Sequence, residues 1–152
     1  MSENYTPQTD NRRPVFDVFA EIATLPPTSE SMLADEYFSD FPSASSRIFR
    51  VYRTLPLHYH EDCSEHLYVV SGEGIFHLNG EESRAAPGTF LRFAQRQVHG
   101  FPRIEVHPFV VLAIDVPRRR PDDIVFVNPE DGDAASFMAR NSSDFKQQDP
   151  TQ

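Results

Sequence analysis

The stretch "LHYHEDCSEHLYVVSG" at residues 57–72 sets His58, His60 and His66 among Glu61, Asp62 and Glu65, then runs into apolar residues. On an extended strand alternate side chains share a face, so His58 and His60 point the same way with backbones about 6.5–7 Å apart. Two imidazoles at that spacing can converge on one ion. The four residues "EDCS" suit a tight turn into a second strand. There the same parity puts Glu65, Leu67 and Val69 on one face and His66, Tyr68 and Val70 on the other. With Glu65 beside the histidine pair, Leu67 and Val69 wall the site with hydrocarbon and His66 points away. Farther on, "RQVHGF" supplies His99 just after the apolar run "TFLRF".

These side chains need a frame of strands. Short apolar runs broken by turn residues predict strands at Ser46–Arg53, His66–Val70, Gly74–Leu78, Thr89–Phe93, Phe109–Val116 and Ile124–Val127, with another near Val15–Ala20. The separators "SGEG", "LNGEE", "APG" and "VPRRRPDD" read as turns. Thirteen prolines among runs rich in β-branched and aromatic residues point to an all-β sandwich or barrel. Only "SESMLADEYF" at 29–38 and "DAASFMAR" at 133–140 read as helices. Residues 1–14 read as a disordered arm, 15–132 as one β-barrel domain, and 133–152 as a short helix or disordered tail.

The pattern H-x-H, four residues, E, six residues, G, formed by His58, His60, Glu65 and Gly72, resembles the first motif of the cupin superfamily. "PGTFLRFAQRQVHGF", with Gly88 opening a strand and His99 eleven positions later, is similar to the second. The resemblance covers roughly residues 46–116. It implies a double-stranded β-helix, or jelly-roll barrel, as a single cupin domain in which His58, His60, Glu65 and His99 bind one divalent metal in the barrel mouth. Small cupins are often homodimers that pair N-terminal strands, a role open to "VFDVFAEI" at 15–22. Three positions depart from the pattern: Tyr52 replaces a glycine, "AQR" at 94–96 replaces a P-x-G turn, and Arg103 replaces an asparagine.

Mixed nitrogen and oxygen ligation suits Fe, Mn, Ni, Co, Cu or Zn, and the sequence does not choose among them; resemblance to cupin oxygenases favours Fe(II). Four protein ligands leave an octahedral ion two open positions for a chelating substrate and oxygen or water. Glu65 can tune the metal's charge or detach and accept a proton, which makes it the catalytic candidate. Arg92 and Arg96 approach His99 in the chain and are candidates for binding an anionic small-molecule substrate, with His77 a third candidate. His107 reads as a loop histidine and Cys63 as a loop thiol. The expected function is a metal-dependent oxygenase acting on a small organic acid or enol-type molecule. The alternatives are a non-redox isomerase, epimerase or lyase, and a non-catalytic binding module.

Charge narrows the partners. A formal net charge of −9 over 152 residues argues against nucleic-acid binding. The run "RRR" at 118–120 is followed at once by "PDD" and reads as a neutralised turn. A single cysteine excludes an intrachain disulfide. No stretch approaches the ~20 apolar residues of a membrane span, and no apolar leader opens the chain, so a cytoplasmic location is expected.

Overall fold

The computed structural model describes residues 14–138. After a short helix α1 (Val18–Ile22) come β1 (Leu33–Phe41), β2 (Ala44–Val51), β3 (Leu55–Tyr59), β4 (Ser64–Leu78), β5 (Glu81–Ala85), β6 (Phe90–Phe93), β7 (His99–Val116) and β8 (Val125–Phe126). A 3-10 turn at Pro129–Asp131 and a helical segment at 134–138 follow. Every strand pairing is antiparallel.

Two strands serve both walls of the barrel. The second half of β7 pairs with β2, which pairs with β1, while the first half of β4 pairs with that same part of β7 and with β6. This is the first sheet. The first half of β7 pairs with β3, and through it with β8, while the second half of β4 pairs with β7 and β5. This is the second. The all-β expectation therefore holds.

The sharing of β4 corrects one expectation. "SGEG" is not a turn between two strands; it lies inside one 15-residue strand. The register shifts here, between Val69 and Gly74, as the strand rounds the barrel corner. Gly72 has φ 71°, and a Cβ there would lie 2.2 Å from the Pro108 carbonyl oxygen, so only glycine fits.

Two further expectations are overturned. The 29–38 segment contains good helix formers, yet residues 33–41 form β1, paired along its length with β2. Helix propensity is worth only tenths of a kcal/mol per residue, and cross-strand pairing outweighs it. The segment at Val15–Ala20 is not a strand but leads into α1, because Asp17 Oδ1 accepts the N–H groups of Phe19 and Ala20 at 3.1 and 3.2 Å and caps a helix. Val18 and Ile22, four apart, pack with Leu25 onto Ile48 and Val110 on the outside of the first sheet. In the described chain, then, this segment covers its own barrel. The helical expectation at 133–140 agrees with the structure as far as residue 138. Residues 1–13 and 139–152 of the expected arm and tail lie outside the described residues.

The main core fills the space between the two sheets with alternating inward residues such as Phe49, Val51, Leu67, Val69, Phe101 and Phe109, all at most 2% exposed. Burying each such side chain contributes about 1.5–3 kcal/mol. That packing fixes the rotamers at the end of the barrel where polar residues replace apolar ones.

Candidate metal centre

The polar end draws on both sheets. His58 on β3 lies opposite His99 on β7 in register, and His60 follows directly after β3. From the first sheet come Glu65 on β4, Arg47 on β2 and Asp115 on β7. His58, His60, Glu65 and His99 are all buried, at 2–4% exposure. One ring nitrogen from each of the three histidines lies within 4.8 Å of the others.

Each imidazole is oriented by a backbone carbonyl. His58 Nδ1 is 2.6 Å from Pro56 O, His60 Nδ1 is 2.6 Å from Asp123 O, and His99 Nδ1 is 2.8 Å from Gln97 O. A carbonyl can only accept, so Nδ1 carries the proton in all three rings, and in the neutral ring Nε2 is left as a bare lone pair. This is the outer-shell arrangement that aims histidines at a metal. His99 is also stacked on Phe93, with ring centroids 3.9 Å apart at 8°. The Asp123 carboxylate accepts the N–H groups of Glu61 and Asp62 at 2.7 and 3.1 Å, which pins the loop carrying His60.

Glu65 Oε2 lies 3.2 Å from His60 Nε2 and 3.0 Å from His99 Nε2. A carboxylate oxygen and an imidazole lone pair both accept, so at these distances they repel unless a cation lies between them, a proton or a metal ion. Burial and the neighbouring His99 and His60 push the His58 pKa well below its usual value, so this ring is neutral, the form that ligates metal. Burial alone would raise the Glu65 pKa, but His60 and His99 outweigh it and hold the carboxyl well below the ordinary range. It stays ionised. Three imidazole nitrogens beside a fixed carboxylate fit a divalent transition metal and do not select which one.

Arg47 organises the charge behind the cluster. Its guanidinium reaches Asp35 Oδ2 at 3.2 Å, Glu65 Oε1 at 3.3 Å and Asp115 Oδ2 at 3.4 Å. Although burial disfavours its charge, these carboxylates and Tyr37 raise its pKa further, so it remains a cation. Burial pushes the Asp115 carboxyl up, against the pull of Arg47. Cys63 is buried at 1% exposure, and burial followed by the charges of Asp115 and Glu65 raises its thiol pKa, leaving an inert core thiol.

The three substrate candidates lie elsewhere. The chain proximity of Arg92 and Arg96 to His99 misled, because neither side chain lines the histidine cavity. Arg92 is exposed on the outer face of β6, opposite His66 in register, in a groove with Ser64 and Gln97. Arg96 points outward with its side chain 75% exposed, where Nε donates to Glu61 Oε2 at 2.8 Å. His77 sits on β4 opposite Glu82 of β5 and does not line the cavity. The outward orientation expected for His66 is observed.

The cavity is lined instead by Arg47 and Arg119 among apolar residues including Leu55, Leu67, Phe101 and Phe137. Its volume is about 20 Å³, room for about one water-sized body. Sequence reasoning missed Arg119. The "RRR" run is neutralised only at its ends: Arg118 pairs with Asp40, and Arg120 with Asp62 and Asp122, while Arg119 between them turns inward. Alternation along the run was the available signal.

Comparisons with known proteins agree with this fold. The Cupin domain family model matches residues 50–115. No curated protein matches the chain. Among solved structures, an uncharacterized conserved protein with a double-stranded β-helix domain from Klebsiella pneumoniae superposes with a TM-score of 0.63. It is 16% identical, with 77% of this chain and 99% of that one covered. KdgF from Halomonas sp. gives a TM-score of 0.55 at 24% identity, covering 60% of this chain and 86% of its own. A cupin-2 domain containing protein from Shewanella frigidimarina gives 0.56 at 14% identity, covering 69% and 96%. These likenesses speak to the fold. With the family match over residues 50–115 and the two shared strands of its barrel, the chain carries a small cupin-type domain.

Proposed function

We propose that the protein is a metal-dependent enzyme, an oxygenase acting on a small organic acid or enol-type molecule. His58, His60 and His99 hold one divalent transition metal, Fe(II) in the favoured case, with Glu65 beside them as a fourth donor. The observation that carries this reading is the set of three Nδ1–H bonds to backbone carbonyls, which leaves three Nε2 lone pairs to meet at one buried point. When bound, such an ion supplies Lewis acidity and, for iron, redox chemistry.

The chain's own residues do the rest. Arg47 holds Glu65 Oε1, leaving Oε2 directed at His60 and His99. The depressed pKa of Glu65 makes it a poor proton acceptor while it stays paired with the histidines; its work there is charge compensation, and proton transfer requires that it first detach. Leu55, Leu67, Phe101 and Phe137 exclude bulk water, which strengthens every electrostatic contact inside. The preference for an oxygenase rests on the resemblance to metal-dependent cupins.

Protein purified without a metal-affinity tag should contain one transition metal per chain, and the Fe(II) form should consume oxygen with a member of a panel of small acids. Absence of any bound metal ends the metal-centre reading. Acid binding without oxygen uptake replaces the oxygenase with a Lewis-acid isomerase, epimerase or lyase. Metal without either leaves a binding module.

A further inference from the structure

Two buried arginines line the histidine cavity, and only one of them is ion-paired. Arg47, 2% exposed, is engaged by three carboxylates on three different nitrogens. Arg119, 4% exposed, forms no ion pair, and the Asp115 carboxylate on which its charge pulls lies beyond that reach. Among the described residues no carboxylate comes within ion-pair distance of its guanidinium. Its backbone N–H donates to Ser45 Oγ at 3.3 Å, and its Nε is buried without a partner. Its neighbours Arg118 and Arg120 both have acidic partners, so acidic side chains are within reach of this loop, yet Arg119 has none.

A buried guanidinium N–H left without an acceptor is costly. Its planar fork of N–H donors matches a carboxylate with two parallel hydrogen bonds. We propose that Arg119 is the anion anchor of this cavity: its guanidinium receives a carboxylate or enolate oxygen of the substrate at the side facing the three histidines. The substrate class is thereby a small organic anion, and neutral analogues of the same shape are excluded. This inference rests on the metal-centre reading above for the location of the reacting end, but anion binding at Arg119 is separately measurable. A purely architectural explanation also exists, since Asp115 Oδ1 is likewise buried without a partner and a water could bridge it to Arg119.

The test loads the wild type, Arg119→Gln and Arg119→Lys with Co(II) and titrates each with formate and acetate at constant ionic strength. Cobalt absorption is followed, and metal content is measured by dialysis. Arg119→Gln should keep its cobalt and bind acetate about ten- to a hundredfold more weakly, the worth of one charge-assisted contact. Arg119→Lys should recover part of that loss, because the charge remains while the fork is gone. Acetamide should bind the wild type far more weakly than acetate, and Arg92→Gln should change nothing. Unchanged acetate affinity in cobalt-loaded Arg119→Gln overturns the proposal in favour of the bridging water. If the glutamine variant does not fold, equal responses of the wild type to acetate and acetamide overturn it instead. If the wild type binds no cobalt, the metal reading fails alone. In that case formate should still raise the melting temperature of metal-free wild type, that of Arg119→Lys by less and that of Arg119→Gln not at all, and an equal rise in wild type and Arg119→Gln overturns the anchor.

Discussion

The inner and outer faces of the same strands are different materials. On β6, Phe93 is 1% exposed and Phe90, three residues earlier, is 62% exposed. On β4, Glu65 and Leu67 face the cavity while His66 and Tyr68 face out. The outer side divides again: α1 and Leu25 cover it over Ile48 and Val110, whereas Tyr68, Phe90 and Ile114 stay exposed over β4, β6 and β7. Parity, not closeness along the chain, decides which residues can do chemistry. Arg92 is seven positions from His99 and faces away; Arg119 is twenty positions from it and faces in.

The sharpest way to break this contrast is a pair of substitutions on one strand. Phe93→Ala removes a buried ring stacked on His99 and should lower the unfolding free energy by about 3–5 kcal/mol. Phe90→Ala should change it by no more than ~0.5 kcal/mol. Urea unfolding of both variants checks this. Similar losses at the two positions would mean that the outer face is also packed in solution.

The next largest effect concerns metal. His99→Ala deletes a candidate donor and should weaken binding beyond the roughly 10–100-fold that loss of an outer-shell partner costs. His66→Ala, on the opposite face of β4, should leave affinity unchanged. Competition with a chromophoric chelator measures both. A loss at His66 would reverse the face assignment.

Much of this was legible locally. The shared face of His58 and His60 and the opposite faces of Glu65 and His66 follow from strand period alone, whereas His99 joins them only through the resemblance to the second cupin motif. Asn79 and Gly80, with φ of 52° and 81°, form the turn that "LNGEE" announces. What could not be read is long-range. Residues 33–41 become a strand only because β2 lies beside them, and Gly72 marks a corner only because Pro108 crosses it. Asp123 orients His60 from 63 positions away. The opposite fates of Arg47 and Arg119 depend on carboxylates brought together by pairing between β1, β2, β4 and β7.

The smallest effect tests the departure at "AQR". Arg96 has φ 62°, a left-handed conformation at the position where the cupin turn carries glycine. Its backbone N–H donates to His60 O at 2.8 Å, so the turn is held to the ligand loop by main chain, not by the guanidinium. An L-residue held there costs about 1–2 kcal/mol, and glycine relieves that at ~0.5–1 kcal/mol of extra chain entropy. The exposed pair with Glu61 is worth ~0–1 kcal/mol. Arg96→Gly should therefore shift stability by between about −1 and +1.5 kcal/mol, with metal and acetate affinities intact. Chemical denaturation and the cobalt titration read both quantities on one variant. A clear fall in acetate affinity would mean that the Arg96 guanidinium reaches the cavity after all, and the division between inner and outer arginines would fail at its nearest point to the site.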